Sequence, residues 1–173
     1  QSIEAGVAMI CVGTNVRSSL EAVEFAQTHE HCYAVVGIHP HEAKDNDVAE
    51  IRRLVVQYRG DIVGIGEIGL DYYYDHSPRD VQQQALREQL QIAQDFELPV
   101  SFHIREAFQD FWPIYDEFPG MPGVMHSFTD TQANLQQGLN RGLYVGINGI
   151  STFTKDEDQQ ALYRDAPLDK ILL

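Results

Sequence analysis

The stretch Gly64-Ile65-Gly66-Glu67-Ile68-Gly69-Leu70-Asp71 runs from apolar to polar residues with a carboxylate at its centre and glycines on either side of it. Apolar residues without strict alternation read as a strand covered on both faces, as in a parallel sheet. The glycines let the backbone approach a ligand or another strand closely. Two later stretches repeat the layout with an imidazole, Ser101-Phe102-His103-Ile104-Arg105-Glu106 and Met125-His126-Ser127-Phe128. Parallel βα folds carry their chemistry at the C-terminal ends of strands. Glu67, His103 and His126, each read as standing where a strand gives way to a polar turn, are therefore the candidate catalytic group. One carboxylate with two imidazoles can hold a divalent metal and leave positions for water and substrate, so the same three are the candidate metal ligands.

Working outward, short apolar runs recur at 8–12, 33–38, 61–65, 99–102, 123–125, 143–147 and 170–173, which predicts seven strands. Helix-period segments lie between them. The clearest carries Val81, Ala85, Leu86, Leu90, Ala93 and Phe96, with Ser77 expected as N-cap and Pro78 at the first helical position. Others place Leu20, Val23 and Ala26, then Val48, Ile51 and Val55, on one face each. Phe108, Phe111, Trp112 and Tyr115 form an aromatic stripe expected in the core, with Pro113 a local irregularity.

Alternating strand and helix signals with no shift in composition predict one α/β domain over 1–173. Seven strands do not close an eight-stranded barrel, which typically takes about 250 residues. Residues 1–6 read as the last turn of a helix, and the chain stops inside an apolar run. The expected fold is a (β/α)8 TIM-type barrel, incomplete in this chain at both ends.

Composition narrows the function. A formal net charge of −14 argues against a broad basic footprint for duplex binding, so any nucleic acid must be held locally, with bound cations supplying positive charge. Two cysteines, Cys11 and Cys32, in no metal-binding spacing, predict reduced core thiols. No apolar run approaches the roughly 20 residues that span a bilayer, and the N-terminus lacks a signal-peptide layout, so a cytoplasmic protein without membrane contact is expected. Phosphate-binding loops and the serine-hydrolase elbow are absent from the sequence.

Further polar groups cluster near the predicted strand ends. Gly37-Ile38-His39-Pro40-His41 follows a strand, and His39 is read as a group that touches substrate or supports one that does, while two histidines at this spacing can also bind metal or simply serve the turn. Arg105 could present a fork of donors to a phosphate. Asp71-Tyr72-Tyr73-Tyr74-Asp75-His76 combines aromatic faces with polar atoms, and Tyr73 is the candidate for stacking on a base or ribose, although covering the barrel mouth would use the same residues equally well. Asn148, Gly149 and Ser151 are expected at the same rim, whereas His29 and His31 read as exposed connector residues.

At these residues the chain resembles the TatD family of metal-dependent deoxyribonucleases, within the amidohydrolase-type barrels. The resemblance rests on Gly37 to His41, Gly66 to Tyr72, Ser77-Pro78-Arg79-Asp80-Val81-Gln82, Leu98-Pro99-Val100 with His103, and His126-Ser127-Phe128. It implies a distorted barrel whose ligands come from an HxH pair on the first strand and from strands four, five, six and eight. The His-x-His triplets present, at 29–31 and 39–41, read as a connector and a turn rather than as the first-strand pair, and the Glu-Thr-Asp that usually follows the last strand does not occur in these residues. One strand is therefore expected before Gln1, with the outer ligands beyond both ends.

The resemblance implies a hydrolase dependent on two divalent ions, magnesium or manganese with zinc as an alternative, that removes nucleotides from the 3′ side of single-stranded DNA or DNA ends. Glu67, His103 and His126 would be metal ligands, Arg105 a phosphate contact and His39 a substrate contact. Two other readings stand beside it. One is a D-aminoacyl-tRNA deacylase or another ester or amide hydrolase of the same barrel type, and the other is a noncatalytic binding protein or inactive fragment.

Overall fold

The computed structural model describes residues 5–173. The expectation for 1–6 falls partly on residues 1–4, outside the described residues. Strands and helices alternate as β1 (Met9–Val12), α1 (Val16–Thr28), β2 (Cys32–Val36), α2 (Val48–Gln57), β3 (Ile62–Asp71), α3 (Arg79–Asp95), β4 (Val100–Arg105), α4 (Phe108–Tyr115), β5 (Gly123–Met125), α5 (Gln132–Asn140), β6 (Tyr144–Gly146), α6 (Glu157–Asp165) and β7 (Ile171–Leu172). Single 3₁₀ turns occupy Pro40–Asp45, Gly149–Thr152 and Leu168–Lys170.

All strands are parallel and pair in sequence order, β1 to β7, in one seven-stranded sheet. This is the order of a TIM-type barrel, and the expected fold class is borne out with seven strands in this chain. The predicted strands all form.

Each helix buries the stripe its periodicity marks. Val23 of α1, Ile51 and Val55 of α2, Leu86 and Leu90 of α3, and Leu135 of α5 are essentially inaccessible. Burying such a side chain contributes about 1.5–3 kcal/mol, which outweighs the weak propensities of these short helices. The aromatic stripe of α4 is core, as expected, with Phe111 edge-on to Phe102 at 5.1 Å. Pro113 lies inside α4 on its exposed side, where its missing N–H leaves a carbonyl that water can satisfy. Asn15 and Ser18 form a capping box at α1, and Asp47, Thr131 and Asp156 cap α2, α5 and α6.

Three expectations need correction. Pro78, not Ser77, occupies the N-cap of α3, which begins at Arg79. The Ser77 hydroxyl instead accepts from Lys44 N–H at 3.2 Å and donates to the His41 carbonyl at 2.9 Å, tying the start of α3 to the 3₁₀ turn. Glu67 does not end its strand. The register against β4 shifts between Ile65 and Ile68 and then resumes to Asp71, so the glycine-flanked carboxylate sits on a bulge within a longer strand. His103 likewise lies inside β4, which continues to Arg105, whereas His126 does follow the last residue of β5.

Candidate metal and hydrolytic site

The bulge sets the site. Glu67 N–H donates to the carbonyl of Gly13, the residue after β1, 3.1 Å away, so the bulge of β3 reaches past its neighbour β2 to the end of β1. A Cβ on Gly37 would stand 2.8 Å from the Gly66 carbonyl oxygen, which is why that rim position carries no side chain. Beyond the bulge, Gly69 adopts φ +151°, where a Cβ would collide with the His103 carbonyl. Close backbone approach at these glycines brings Glu67 and His103 to one side of the sheet rim.

There, Glu67 Oε1 stands 3.4 Å from His103 Nδ1, with both side chains mostly covered. The other ring nitrogen of His103, Nε2, is 2.8 Å from Asp71 Oδ2. His41 Nε2 reaches the same oxygen at 2.9 Å. Asp71 has no solvent exposure, and its second oxygen accepts the N–H groups of Tyr73 and Tyr74 at 3.1 and 2.9 Å. Buried Gln82 of α3 completes the frame, accepting Asp71 N–H at 2.8 Å and donating to the Asp71 and Ser77 carbonyls. One turn pair further along, buried Gln89 does the same for Ile38, whose N–H it accepts at 2.7 Å.

These contacts set the charge states. Burial would raise the Asp71 carboxyl, but the Tyr74 N–H and the two imidazoles outweigh it and hold the group down at about 2. Burial likewise opposes charge on Glu67, yet His103, His126 and His39 draw its pKa below the ordinary value. For His103, desolvation is outweighed by hydrogen bonds to Glu67 and Asp71, which raise its pKa. His39 goes the other way, lowered to about 4 by burial and by His103 beside it.

Among the described residues, one nitrogen each from His39, His41 and His103 fall within 4.8 Å of one another, close enough to share a cation. Hydrogen bonds divide their work. An ionised Asp71 takes N–H from Nε2 of both His41 and His103, so the His103 Nδ1 donates to Glu67 when the ring is protonated and offers a lone pair beside the carboxylate when it is neutral. His39 Nδ1 accepts the His41 backbone N–H at 3.2 Å, so its neutral ring carries the proton on Nε2 and is a donor.

Two donors on one divalent ion, each about 2.0–2.2 Å from it, stand roughly 3–3.5 Å apart. The 3.4 Å between Glu67 and His103 fits that spacing, and the carboxylate behind the imidazole is the usual support of a metal-ligating histidine. The residues present fit a divalent metal.

Of the sequence candidates, Glu67 and His103 meet directly, and His39 packs on His103 with ring centroids 4.4 Å apart. His126 is exposed on the open side, close enough for its charge to act on Glu67 but outside the three-imidazole group. Arg105 lies over the Tyr73 ring at 4.0 Å. Asn148 donates to the Ser127 hydroxyl beside His126 at 2.9 Å. His31 is exposed and His29 stacks on Phe25, away from the site. Asp71, Gln82 and Gln89 carry no assigned role in the sequence, and His41 is left there between a metal ligand and a turn residue. The only available signal for the glutamines was their place on the apolar face of α3, seven residues apart.

Comparison with known proteins agrees with this picture. The model of the TatD-related DNase family matches residues 2–173. A protein of Salmonella typhimurium named 3′-5′ ssDNA/RNA exonuclease TatD is 31% identical over 100% of this chain and 68% of its own length. Its counterpart in Cronobacter sakazakii is 36% identical over 98% of this chain and 66% of its length. A fission yeast protein, Schizosaccharomyces pombe deoxyribonuclease Tat-D, is 36% identical over 95% of this chain and 57% of its length. The chain thus spans about two thirds or less of these curated relatives. A solved TatD homologue from Escherichia coli superposes with a TM-score of 0.90 at 24% identity, over 99% of this chain and 68% of the other, which is a likeness of fold. The sequence match along almost its whole length, on a sheet of this order, places the chain in the TatD-related DNase family.

Proposed function

We propose that the protein is a metal-dependent hydrolase that cleaves phosphodiester bonds at the 3′ end of single-stranded nucleic acid. The observation that carries this reading is the Glu67 and His103 pair at 3.4 Å, with Asp71 fixing the far side of the imidazole. A divalent ion held there, magnesium or manganese, supplies activated water and positive charge at the phosphate. Glu67 and His103 would hold it from the sheet, with His126 as a further ligand from the residue that follows β5. His39, neutral and with its proton on Nε2, donates a hydrogen bond to a phosphate oxygen. Arg105 and Tyr73 take the neighbouring part of the strand. The relatives' names, as exonucleases and deoxyribonucleases, support the reaction class and the substrate.

The test is hydrolysis of a 3′-labelled single-stranded oligonucleotide by the whole protein with magnesium or manganese and with chelator, beside a D-aminoacyl-tRNA ester. Loss of one ligand should lower the rate at least about 100-fold in Glu67→Gln. Cleavage of the ester alone would overturn the phosphodiester reading. Full activity in Glu67→Gln would overturn the metal site.

A further inference from the structure

The two imidazoles offered to a metal beside Glu67 are held in different ways. His103 has the Asp71 carboxylate behind its ring, whereas His126 is exposed and its ring has no hydrogen-bond partner among the described residues. The place of His126 therefore depends on its backbone. On one side its N–H donates to the Phe102 carbonyl at 2.9 Å, continuing the ladder between β4 and β5. On the other side the chain turns at once: Ser127 has φ +49°, a left-handed conformation that residues with a side chain keep only where their surroundings enforce it.

What enforces the turn lies on two later elements. After β6, the Gly146 carbonyl accepts Phe128 N–H at 2.9 Å, and Asn148 donates to the Ser127 hydroxyl. From α6, Gln159 Nε2 donates to the carbonyls of Thr129 and Asp130 at 2.8 and 3.0 Å, and the Tyr163 hydroxyl donates to the Phe128 carbonyl at 3.3 Å. One helix thus takes three successive carbonyls of the turn. Gln159 commits its amide nitrogen to this loop and leaves its Oε1 buried with no hydrogen-bond partner. A side chain kept only for packing would carry no such cost.

We infer that Gln159 and Tyr163 are positioning residues for His126: α6 holds the turn that follows β5 and so fixes where the exposed imidazole stands beside Glu67. The inference rests on the reading of Glu67, His103 and His126 as ligands of one divalent ion. It adds that a helix without any ligand sets how well the third one is presented. An imidazole on a loose turn must be ordered when it binds, whereas one on a clamped turn is ordered beforehand, and affinity rises by the difference.

The experiment titrates manganese into the metal-free whole protein and reads bound metal from the loss of the free-ion resonance signal. Gln159→Met keeps the length of the side chain and removes both hydrogen bonds to the turn. It should bind manganese roughly 10-fold more weakly, the low end of the effect of groups that orient a ligand. In a His126→Asn background the same substitution should change affinity by less than about twofold, because the ligand it positions is gone. A merely structural weakening of the site would appear in both backgrounds. Tyr163→Phe loses one hydroxyl and keeps its ring; it should lower affinity less, and only when His126 is present. Thermal unfolding shows whether each variant is folded, and Tyr163→Phe carries the same comparison if Gln159→Met is not. Equal weakening in both backgrounds would overturn the positioning role. So would unchanged affinity in the folded α6 variants while His126→Asn binds more weakly. Unchanged affinity in His126→Asn would instead sink the reading of His126 as a ligand, and the inference would fall with it.

Discussion

Asp71 and His103 meet at 2.8 Å, between a carboxylate oxygen with no solvent exposure and the Nε2 of an imidazole whose Nδ1 faces Glu67. The contact makes the orientation of His103 a property of a residue that is itself fully buried. The same oxygen holds His41, so one carboxylate orders two rings.

Replacing Asp71 with Asn should test that order. The amide oxygen can still accept from Tyr73 and Tyr74, but the carboxylate charge behind His103 is gone. Metal affinity should fall roughly 10–100-fold, read by titrating manganese into the metal-free protein. Affinity equal to the unsubstituted protein would show that His103 needs no such support.

The metal-free protein should lose stability in acid in two stages. His39 is held at about 4 against an ordinary 6.5, so between these values the unfolded chain binds a proton that the folded chain does not. Its contribution is complete above pH 6.5 and declines as pH falls toward 4. Asp71, held at about 2 against 3.8, contributes above pH 3.8 and is lost as pH falls through 2. His103 has the opposite sign, its contribution present below 6.5 and lost as pH rises through its raised value. Urea midpoints in EDTA across this range should show a shallower slope between pH 4 and 6.5 in His39→Asn; an identical slope would contradict the assignment.

Gly69→Ala should destabilise the protein by about 3 kcal/mol or more, because its φ of +151° and the His103 carbonyl leave no room for a Cβ. Thermal unfolding reads the loss. Since the clash falls on the backbone of His103, metal affinity should drop with it in whatever fraction stays folded.

Phe111→Ala should cost about 3–5 kcal/mol, since the ring is fully buried among Phe102, Trp112 and Tyr115. The same substitution should leave binding of a single-stranded oligonucleotide to the folded protein unchanged, separating core from site.

Much of the fold was legible because period and burial agree. Helix stripes such as Val48, Ile51, Val55 and the unalternating runs of a two-sided sheet declare themselves locally, and each of the seven strands forms where apolar residues cluster. Glu67 was misplaced as a strand end for a physical reason: a bulge breaks the side-chain pattern without ending the ladder, and only the partner strand shows the pairing resume at Ile68. Ser77 was misread because its local position suits a cap while its hydroxyl has better partners in Lys44 and His41, distant in sequence.

For the site, residue types and order along the chain were sufficient to single out Glu67, His103, His126 and His39, since a carboxylate and imidazoles near parallel strand ends have few structural reasons to be there. Which nitrogen each ring offers, and that Asp71 stands behind two of them, was decided only by tertiary structure. Those roles depend on hydrogen bonds spanning 30 and 32 residues, and a proton's place on an imidazole follows its partners, which no local pattern records.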